Sequence, residues 1–360
     1  MSSPKMKALV LSGGKGSRLR PITHTSAKQL IPIANKPILF YGLEAIVKAG
    51  ITEVGIIVGD TAAEIKAAVG DGSALGFKAT YIPQDAPLGL AHAVKISHKF
   101  MGDSPFLMFL GDNLLKEGLG PLVEDFRARK PSAQILVAKV SNPSAFGVVE
   151  MDGERVVRLV EKPAKPKSDL ALVGVYLFDK TIFNAISHIK PSARGELEIT
   201  DAIQWLVDHK HKVVTKHIEG WWKDTGKLND LLEANRLIHE TLKHSIHKDA
   251  HVDSLSRIEG RVVLEAGARV VNSVIRGPAV IGAKTQILKS YVGPYTSIYH
   301  DALIENSEIE HSIVLEYAKI RNIKRIQDSL IGQRVEVHKS GIMPEAYRIM
   351  VGDSSRIEIP

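Results

Sequence analysis

Glycines and cations follow a short apolar segment near the start of the chain, and together they could bind phosphate. Residues 7–11 are mostly apolar, residues 12–18 contain three glycines and end in Arg18, and Lys28 follows ten positions later. Glycines let backbone N–H groups approach an anion closely, and cations add attraction. The segment is not a Walker A loop, because Gly16 stands where Ser or Thr is required, and it lacks the third glycine of a dinucleotide fingerprint. A phosphate-binding loop and a plain glycine-rich turn with surface cations both fit this segment taken alone.

Two aspartates from distant parts of the chain could share a cation. Asp112 follows the apolar segment 106–110, and Asp224 lies in the compact segment 221–226. Mg²⁺ usually takes one or two carboxylates and completes its coordination with waters and substrate phosphate oxygens, so this pair would suit it. Each aspartate could equally cap a turn or a helix.

Gln84 and Gly89 lie in a loop that could recognise a base. An amide presents a donor and an acceptor together, which the edge of a pyrimidine requires. Glycine lets backbone groups come close to a base. The same residues could simply lead into the next helix.

The adjacent residues Glu161 and Lys162 could bind a phosphorylated sugar. A carboxylate can accept from a sugar hydroxyl, and a cation can pair with the phosphate. Such a dipeptide is common on protein surfaces, so it indicates little alone. We interpret residues 173–176 as a neighbouring strand and residues 194–201 as a loop, structural or lining a site, that enters a helix.

Three histidines, His244, His247 and His251, recur at spacings of three and four residues. On a helix they would share one face and could hold a metal. The segment is polar and offers no clear carboxylate partner, so we expect a solvated face.

The elements that would position these residues alternate between strands and helices from residue 7 to about 240. The predicted strands are 8–11, 54–58, 79–82, 106–110 and 135–140, and the predicted helices are 39–49, 62–69, 90–99 and 119–129. Strands separated by helices of this length form right-handed crossovers in a mainly parallel sheet. Ligands bind at the carboxyl ends of such strands, where the loops 12–18 and 111–113 both lie.

The pattern changes from about residue 252. Apolar residues recur every six positions, at Val252, Ile258, Leu264 and Val270 and later at Val292, Ile298 and Ile304. Six residues per side and about 18 per turn are typical of a left-handed parallel β-helix. We therefore predict a Rossmann-like α/β catalytic domain over residues 1–240, a β-helix over 250–360, and an amphipathic connecting helix at about 227–248.

The composition is that of a soluble globular protein. The chain has 360 residues, 44% of them hydrophobic, and no cysteine, which excludes disulfides and thiolate chemistry. No apolar run is long enough to span a bilayer, and no signal-peptide core is present, so we expect a cytoplasmic protein without a membrane partner. The net charge of +7 suits small polyanionic substrates. It comes without a basic tail or an aromatic-interleaved patch, so we expect no nucleic acid partner.

Eight short strings occur in the order in which they occur in sugar nucleotidyltransferases. They are residues 11–19, 28–32, 35–38, 89–93, 110–113, 161–163, 195–201 and 222–226. Over residues 7–240 the chain therefore resembles the sugar-nucleotidyltransferase family, and its β-helix resembles the extension of the long-form thymidylyltransferases. Ser12 departs from the family, in which Ala is common at this position. Both residues are small, so we expect activity to be retained.

This resemblance implies roles for the residues above. The triphosphate would be held by Gly13, Gly14, Ser17 and Arg18, with the reacting phosphates next to Arg18 and Lys28. The nucleoside pocket would be lined by Gln29, Gln84 and Gly89. The sugar would contact Gly147, Glu161 and Val173, its phosphate would contact Lys162, and Mg²⁺ would be held by Asp112 and Asp224.

The implied reaction is attack by the phosphate oxygen of glucose 1-phosphate on the α-phosphorus of dTTP, which releases pyrophosphate. The nucleophile is already an anion, so catalysis would depend on alignment and on charge neutralisation by Arg18, Lys28, Lys162 and Mg²⁺. UTP or another sugar 1-phosphate stays open, because the thymine methyl group is worth only about 1–3 kcal/mol of discrimination. A β-helix that transfers acyl groups through His300, His311 or His338, and a catalytically silent subunit, are further alternatives. We expect a homo-oligomer.

Overall fold

The computed structural model describes residues 5–14, 16–24, 27–341 and 347–359. The chain forms two compact units. The first comprises residues 1–15, 27–30 and 39–224, and the second comprises residues 16–26, 31–38 and 225–360. None of the helices in the described ranges is long and apolar enough to cross a membrane.

The strands up to residue 224 are β1 (Lys7–Leu11), β2 (Pro32–Ile33), β3 (Lys36–Pro37), β4 (Glu53–Val58), β5 (Lys78–Pro83), β6 (Phe106–Leu110), β7 (Asn113–Leu115), β8 (Ala133–Lys139), β9 (Gly147–Asp152), β10 (Arg155–Glu161), β11 (Leu170–Phe178), β12 (Val213–His217) and β13 (Trp222–Asp224). The helices are α1 (Ile38–Lys48), α2 (Ala62–Val69), α3 (Leu90–Ile96), α4 (His98–Met101), α5 (Gly120–Arg129), α6 (Thr181–His188), α7 (Ile199–Asp208) and α8 (Leu228–His239). The predicted helix 90–99 is thus divided at Ser97.

The first unit is built on a nine-stranded sheet with the order β10-β9-β11-β6-β1-β4-β5, in which β8 joins at β11 and β12 pairs with β8. The strands β6, β1, β4 and β5 pair in parallel, as predicted. β11 runs antiparallel to β6, β8 and β9, so the sheet is mixed at this side. The predicted parallel core is confirmed, and the antiparallel strands carry the residues around Glu161.

Strand β1 shows why this sheet is apolar on both sides. Ala8 and Val10 point into one core, which they share with helix α1, whereas Leu9 and Leu11 point into a second core shared with α3 and α7. Successive side chains of a strand point to opposite faces, so a sheet covered on both faces requires an uninterrupted apolar strand.

The second unit contains the strands β14 (Ser245–Ile246), β15 (His251–Val252), β16 (Arg257–Glu259), β17 (Val262–Leu264), β18 (Arg269–Val271), β19 (Val274–Arg276), β20 (Ala279–Ile281), β21 (Gln286–Leu288), β22 (Tyr291–Val292), β23 (Thr296–Ile298), β24 (Leu303–Glu305), β25 (Glu308–Glu310), β26 (Ile313–Val314), β27 (Lys319–Arg321), β28 (Ile326–Gln327), β29 (Leu330–Ile331) and β30 (Glu336–His338). They form three parallel sheets of six, six and five strands. This confirms the predicted β-helix.

A serine ladder explains the repeated serines of this unit. The backbone N–H of Ser290 donates to Ser273 Oγ over 3.0 Å, and that of Ser307 donates to Ser290 Oγ over 3.1 Å. Each hydroxyl thus satisfies a buried N–H of the next coil at a corner, where the strands cannot pair. The connecting helix α8 ends at His239, earlier than the predicted 227–248, because the chain turns there into the first coil.

Candidate active site

The candidate site lies in the first unit at the carboxyl ends of β1, β4 and β6. Beyond these ends the backbones stay close together: Ser12 N–H donates to Ile57 O and Gly111 N–H donates to Leu11 O, each over 2.9 Å. A Cβ atom at Gly111 would lie 2.9 Å from Leu11 O, and one at Gly59 would lie 2.8 Å from Gly13 O. Glycines at these positions therefore let the strand ends converge on one edge, as the sequence predicted.

The glycine loop lies against the residues predicted for the nucleotide. The Cβ position of Gly13 is 3.5 Å from Gln84 Oε1, and that of Gly14 is 3.2 Å from Lys28 Cε and 3.8 Å from Gln29 Nε2. Gln29 is buried, and its Oε1 has no hydrogen-bond partner among the described residues. A buried acceptor without a partner is available to a ligand.

Gln84 is oriented by two contacts. Its Nε2 lies 3.1 Å from His92 Nδ1 and donates to Gly89 O over 3.4 Å. Burial, followed by the charge of Lys95, lowers the pKa of His92 and so favours the neutral ring, whose Nδ1 accepts from Gln84 Nε2 in the tautomer with the proton on Nε2. The donor end of Gln84 is thus engaged within the protein, and Oε1 remains as the acceptor beside Gly13.

Gly89 has a φ of +100°, and a Cβ atom there would collide with Leu197 O. Leu197 N–H donates to Leu88 O over 2.8 Å, and Ala91 N–H donates to Leu197 O over 3.0 Å. The loop that carries Gly89 is therefore held against the segment before α7, which was interpreted as structural or as the wall of a site.

The predicted metal ligands approach each other through a short antiparallel strand pair. In the pairing of β13 with β7, Asp224 lies opposite Asn113, the neighbour of Asp112. Asp112 also forms an ion pair with Lys28, and both side chains are largely buried. The cap of α8 is Lys227, so Asp224 does not cap this helix. Two carboxylates from separate segments are a donor set that suits Mg²⁺, whose remaining positions are usually taken by waters and substrate oxygens.

The residues predicted for the sugar also meet. Glu161 pairs with Gly147 across β10 and β9, and Lys162 N–H donates to Phe146 O over 3.0 Å. A Cβ atom at Gly147 would lie 3.1 Å from Glu161 Oε2. Val173 lies where the pairing of β11 with β8 is interrupted, and its side chain is fully buried, so only its backbone could contact a sugar.

Charged groups surround Glu161. Lys162 Nζ lies 3.7 Å and Arg194 Nη1 lies 3.9 Å from its Oε1. Burial raises the pKa of the Glu161 carboxyl, Lys162 lowers it, the nearby Glu198 raises it, and Arg194 lowers it, with a net increase. Glu161 and Glu198 share the guanidinium of Arg194, so keeping both carboxylates ionised costs free energy in the unliganded protein. Charged groups held at such a cost are typical of a binding site.

An aromatic contact connects this region to the aspartates. Phe146 and Trp222 pack edge to face with ring centroids 5.2 Å apart, and Trp222 Nε1 donates to Asn113 Oδ1 over 2.5 Å. The residues predicted for the metal and the sugar, and those predicted for the nucleotide other than Ser17 and Arg18, thus all lie in the first unit and are linked by these contacts. Ser17 and Arg18 belong to the second unit, where they are exposed in a short 3₁₀ helix, Ser17–Leu19.

Four residues at this site were given no ligand in the sequence prediction: Asn113, Trp222, Arg194 and Thr200. Arg194 and Thr200 were placed only in a loop that is structural or lines a site. Thr200 Cγ2 lies 2.8 Å from the Cβ position of Gly147, and Thr200 Oγ1 is buried without a hydrogen-bond partner in the described part of the chain. All four lie in or next to the strings that carried the resemblance. Only their spatial contacts distinguish them from neighbours.

The histidines of the second unit do not form a metal site. His244 and His247 flank β14 and His251 begins β15, so the three do not share one helical face, because α8 has already ended. His300 lies 2.8 Å from Asp301, and His311 lies 3.7 Å from Asp328. Within the described ranges, no cluster of three or more metal-ligating side chains is found.

The fold and site define a nucleotidyltransferase, and comparison with known proteins agrees. Residues 7–241 match the nucleotidyl transferase family model, and the chain belongs to this family. It is 56% identical to the glucose-1-phosphate thymidylyltransferase of Streptomyces griseus, over 98% of this chain and 99% of that protein. It is 55% identical to the protein of the same name from Streptomyces antibioticus, again over 98% and 99%.

A solved structure gives the same result for about two thirds of the chain. The crystal structure of a candidate glucose-1-phosphate thymidylyltransferase from Bacillus anthracis, in complex with sucrose, superposes with a TM-score of 0.62 and 36% identity. The match covers 65% of this chain and 95% of the Bacillus anthracis chain. These comparisons confirm the predicted fold, the enzyme class and the resemblance to glucose-1-phosphate thymidylyltransferases.

Proposed function

We propose that this enzyme transfers a thymidylyl group from dTTP to glucose 1-phosphate, giving dTDP-glucose and pyrophosphate. The observation that carries the proposal is the continuity of the site: the glycine loop and the Lys28–Asp112 pair are connected, through Asn113 and Trp222, to the Gly147–Glu161–Lys162 group. A site of this kind can hold a triphosphate and a sugar phosphate side by side.

The residues of the chain would act by alignment and by charge. Backbone N–H groups at Gly13 and Gly14 would approach the triphosphate, and Arg18 and Lys28 would neutralise charge that builds up at the α-phosphorus. Lys162 would hold the phosphate of the sugar, which is already anionic and requires no general base.

At the other ends of the substrates, polar groups would select the nucleoside and the sugar. Gln29 and Gln84 would contact the thymine edge, and Glu161 would accept from sugar hydroxyls. We include UTP as a second nucleotide substrate, because the thymine methyl group is worth only about 1–3 kcal/mol of discrimination.

Asp112 and Asp224 would hold Mg²⁺. When bound, the cation would supply Lewis-acid neutralisation of phosphate charge. The pairing of β7 with β13 supports the proposal, because it joins the two segments that carry these carboxylates. We further propose that the enzyme is cytoplasmic, because nucleoside triphosphates are available there. We also propose a homo-oligomer, because the flat sides of a β-helix suit association.

The test is pyrophosphate release by the purified full-length chain with Mg²⁺ and glucose 1-phosphate, comparing dTTP, UTP, ATP, CTP and GTP. We expect dTTP to give the fastest turnover and Asp112→Asn to lower it at least about 100-fold, which corresponds to the loss of several kcal/mol of charge stabilisation. Asp103→Asn is the matched control, because Asp103 pairs with Lys180 over 3.2 Å at an exposed site. Its activity should equal that of the wild type.

Turnover with UTP alone, or only with another sugar phosphate, would keep the reaction type and contradict the proposed substrates. Release of no pyrophosphate with any pair, from a folded protein that binds dTTP, would favour the silent-subunit alternative. Equal losses in Asp112→Asn and Asp103→Asn would contradict the metal assignment.

A further inference from the structure

The turn between β2 and β3 belongs to the second unit. It follows Lys28 and Gln29 in the chain, with Leu30, Ile31 and β2 between them. Its central residues, Ala34 and Asn35, have φ values of +47° and +61°. Such a turn suits asparagine and glycine, whereas alanine rarely adopts a positive φ. The surroundings must therefore hold Ala34 in this conformation.

Two side-chain amides hold the turn against the β-helix and helix α8. Ala34 N–H donates to Asn235 Oδ1 over 2.9 Å, and Asn35 Nδ2 donates to Ile298 O over 2.9 Å. The Asn35 side chain also hydrogen-bonds to Glu265. Both central residues of the turn are thus anchored, one through its backbone and the other through its side chain.

Asn235 is the centre of this network. It is 1% exposed, its Nδ2 donates to Tyr295 O over 2.9 Å, and its Oδ1 accepts from Ser297 Oγ over 2.7 Å. His239 Nε2 lies 2.8 Å from the same Ser297 Oγ. One buried amide therefore joins the turn, helix α8 and the coil that contains β23, and an apolar side chain would leave several buried polar groups unpaired.

We propose that Asn235 is a positioning residue for nucleotidyl transfer: it fixes the Ala34-Asn35 turn on the β-helix and thereby limits the movement of Lys28 and Gln29. The inference rests on the roles proposed above for these two residues. Gln29 is separated from β2 by only two residues. Movement of the turn would therefore also move the segment that carries Lys28 and Gln29.

The experiment uses the full-length protein and two variants that release the turn in different ways. Asn235→Ala removes the acceptor for Ala34 N–H, and Asn35→Gly removes the bond to Ile298 O while glycine retains the positive φ without strain. Two controls are available. Asn229→Ala changes an exposed asparagine of the same helix, and Ser290→Ala breaks a buried hydrogen bond of the β-helix far along the chain from the turn.

Three quantities are measured: kcat and KM for pyrophosphate release, thermal unfolding, and backbone amide exchange over residues 28–38. We expect both turn variants to lower kcat about 10-fold, since small misplacements of reacting groups have effects of this order. KM for glucose 1-phosphate should stay within about twofold. Amide exchange should become faster from Lys28 to Ala34, whereas Asn229→Ala should match the wild type.

Ser290→Ala separates positioning from stability, because it should lower the unfolding temperature without changing kcat. The inference is overturned if Ser290→Ala and Asn235→Ala lower kcat equally, or if Asn35→Gly keeps wild-type kcat while exchange in the turn becomes faster. Should Asn235→Ala fail to fold, Asn35→Gly decides alone. If the wild type itself releases no pyrophosphate, the proposed function fails. The inference is then judged by exchange at residues 28–30, where no change in Asn35→Gly would reject it.

Discussion

The nucleotide end and the sugar end of the candidate site differ in the chemical groups that line them. Around Gln84, the nucleotide end consists of backbone and a neutral amide: Gly13 lies beside Gln84, and Gln84 is oriented by His92, whose pKa is lowered by burial. The cation of this end, Lys28, lies next to Gly14. The sugar end is a cluster of charges in which Glu161 lies within 4 Å of both a lysine and an arginine. The surroundings of Gln84 offer shape and close approach, whereas the surroundings of Glu161 offer charged groups.

This difference predicts how each end should respond to substitution. Removing the charge of Glu161 should relieve the cost of burying a carboxylate in the free protein while weakening ligand binding. Adding one methyl group to the nucleotide end should leave stability unchanged and obstruct the ligand, because the loop is open only where a phosphate must come close.

Glu161→Gln should give the largest effect of the variants that test this comparison. It removes a charged acceptor of sugar hydroxyls, for which hydrogen bonds are worth about 2 kcal/mol, so KM for glucose 1-phosphate should rise about 30-fold. KM for dTTP should stay unchanged. Steady-state kinetics with each substrate varied in turn measures both values.

The same variant should not be less stable than the wild type. Burial raises the pKa of Glu161, so the folded protein disfavours the ionised carboxylate, and stability decreases as the pH rises above the ordinary pKa of the group. Glutamine removes this cost. Glu154→Gln, at an exposed position between β9 and β10, is the control and should alter neither quantity. A loss of stability in Glu161→Gln, with unchanged KM, would show that Glu161 is structural.

Gly13→Ala should give the next largest effect. The nearest atoms to the new methyl group would be Gln84 Oε1 at 3.5 Å and Gly59 N at 3.6 Å, which are ordinary contacts, so the protein should fold with an unchanged unfolding temperature. KM for dTTP should rise about 10-fold, or about 1.4 kcal/mol, because the methyl group occupies the path of the phosphates. Gly118→Ala is matched to it, since nothing lies within 4 Å of its Cβ position. Equal KM values in the two variants would contradict the role of the loop.

The parallel core of the sheet and the β-helix could be predicted because their signals are local and periodic. Strand β6 and helix α2 have the predicted bounds, and the serines of the ladder recur with each coil. The antiparallel strand β11 was recognised only in part, because a strand buried on both faces shows no alternation. The end of α8 was misplaced, since the apolar pattern does not show where the first coil begins.

The site was predicted to the extent that its residues lie in continuous strings. The meeting of Asp224 with the neighbourhood of Asp112 depends on the β7–β13 pair, which joins segments more than 100 residues apart. Thr200 is buried because it packs against Gly147, and this packing leaves its hydroxyl without a hydrogen-bond partner among the described residues. Neither follows from residue types and spacing, because both are consequences of tertiary contacts.

The smallest predicted effect is a pH dependence that is confined to the nucleotide end. His92 Nδ1 accepts from Gln84 Nε2 over 3.1 Å, and the lowered pKa of His92 keeps this acceptor available at neutral pH. Once His92 gains a proton, below the ordinary pKa of histidine, Nδ1–H replaces the lone pair and Gln84 must turn its amide. KM for dTTP should then rise by about threefold, since one neutral hydrogen bond is affected.

His92→Asn is the matched comparison, because its side-chain oxygen can accept from Gln84 and does not titrate in this range. Titration of the substrate phosphates affects the wild type and His92→Asn equally. The KM of the wild type divided by the KM of His92→Asn therefore reports the effect of the histidine alone. We expect this ratio to be constant above about pH 7 and to increase towards acid pH for dTTP, while the corresponding ratio for glucose 1-phosphate stays constant. If the two proteins share one pH profile for dTTP, then His92 does not orient Gln84, and recognition at the nucleotide end depends on the glycine loop and Gln29 instead.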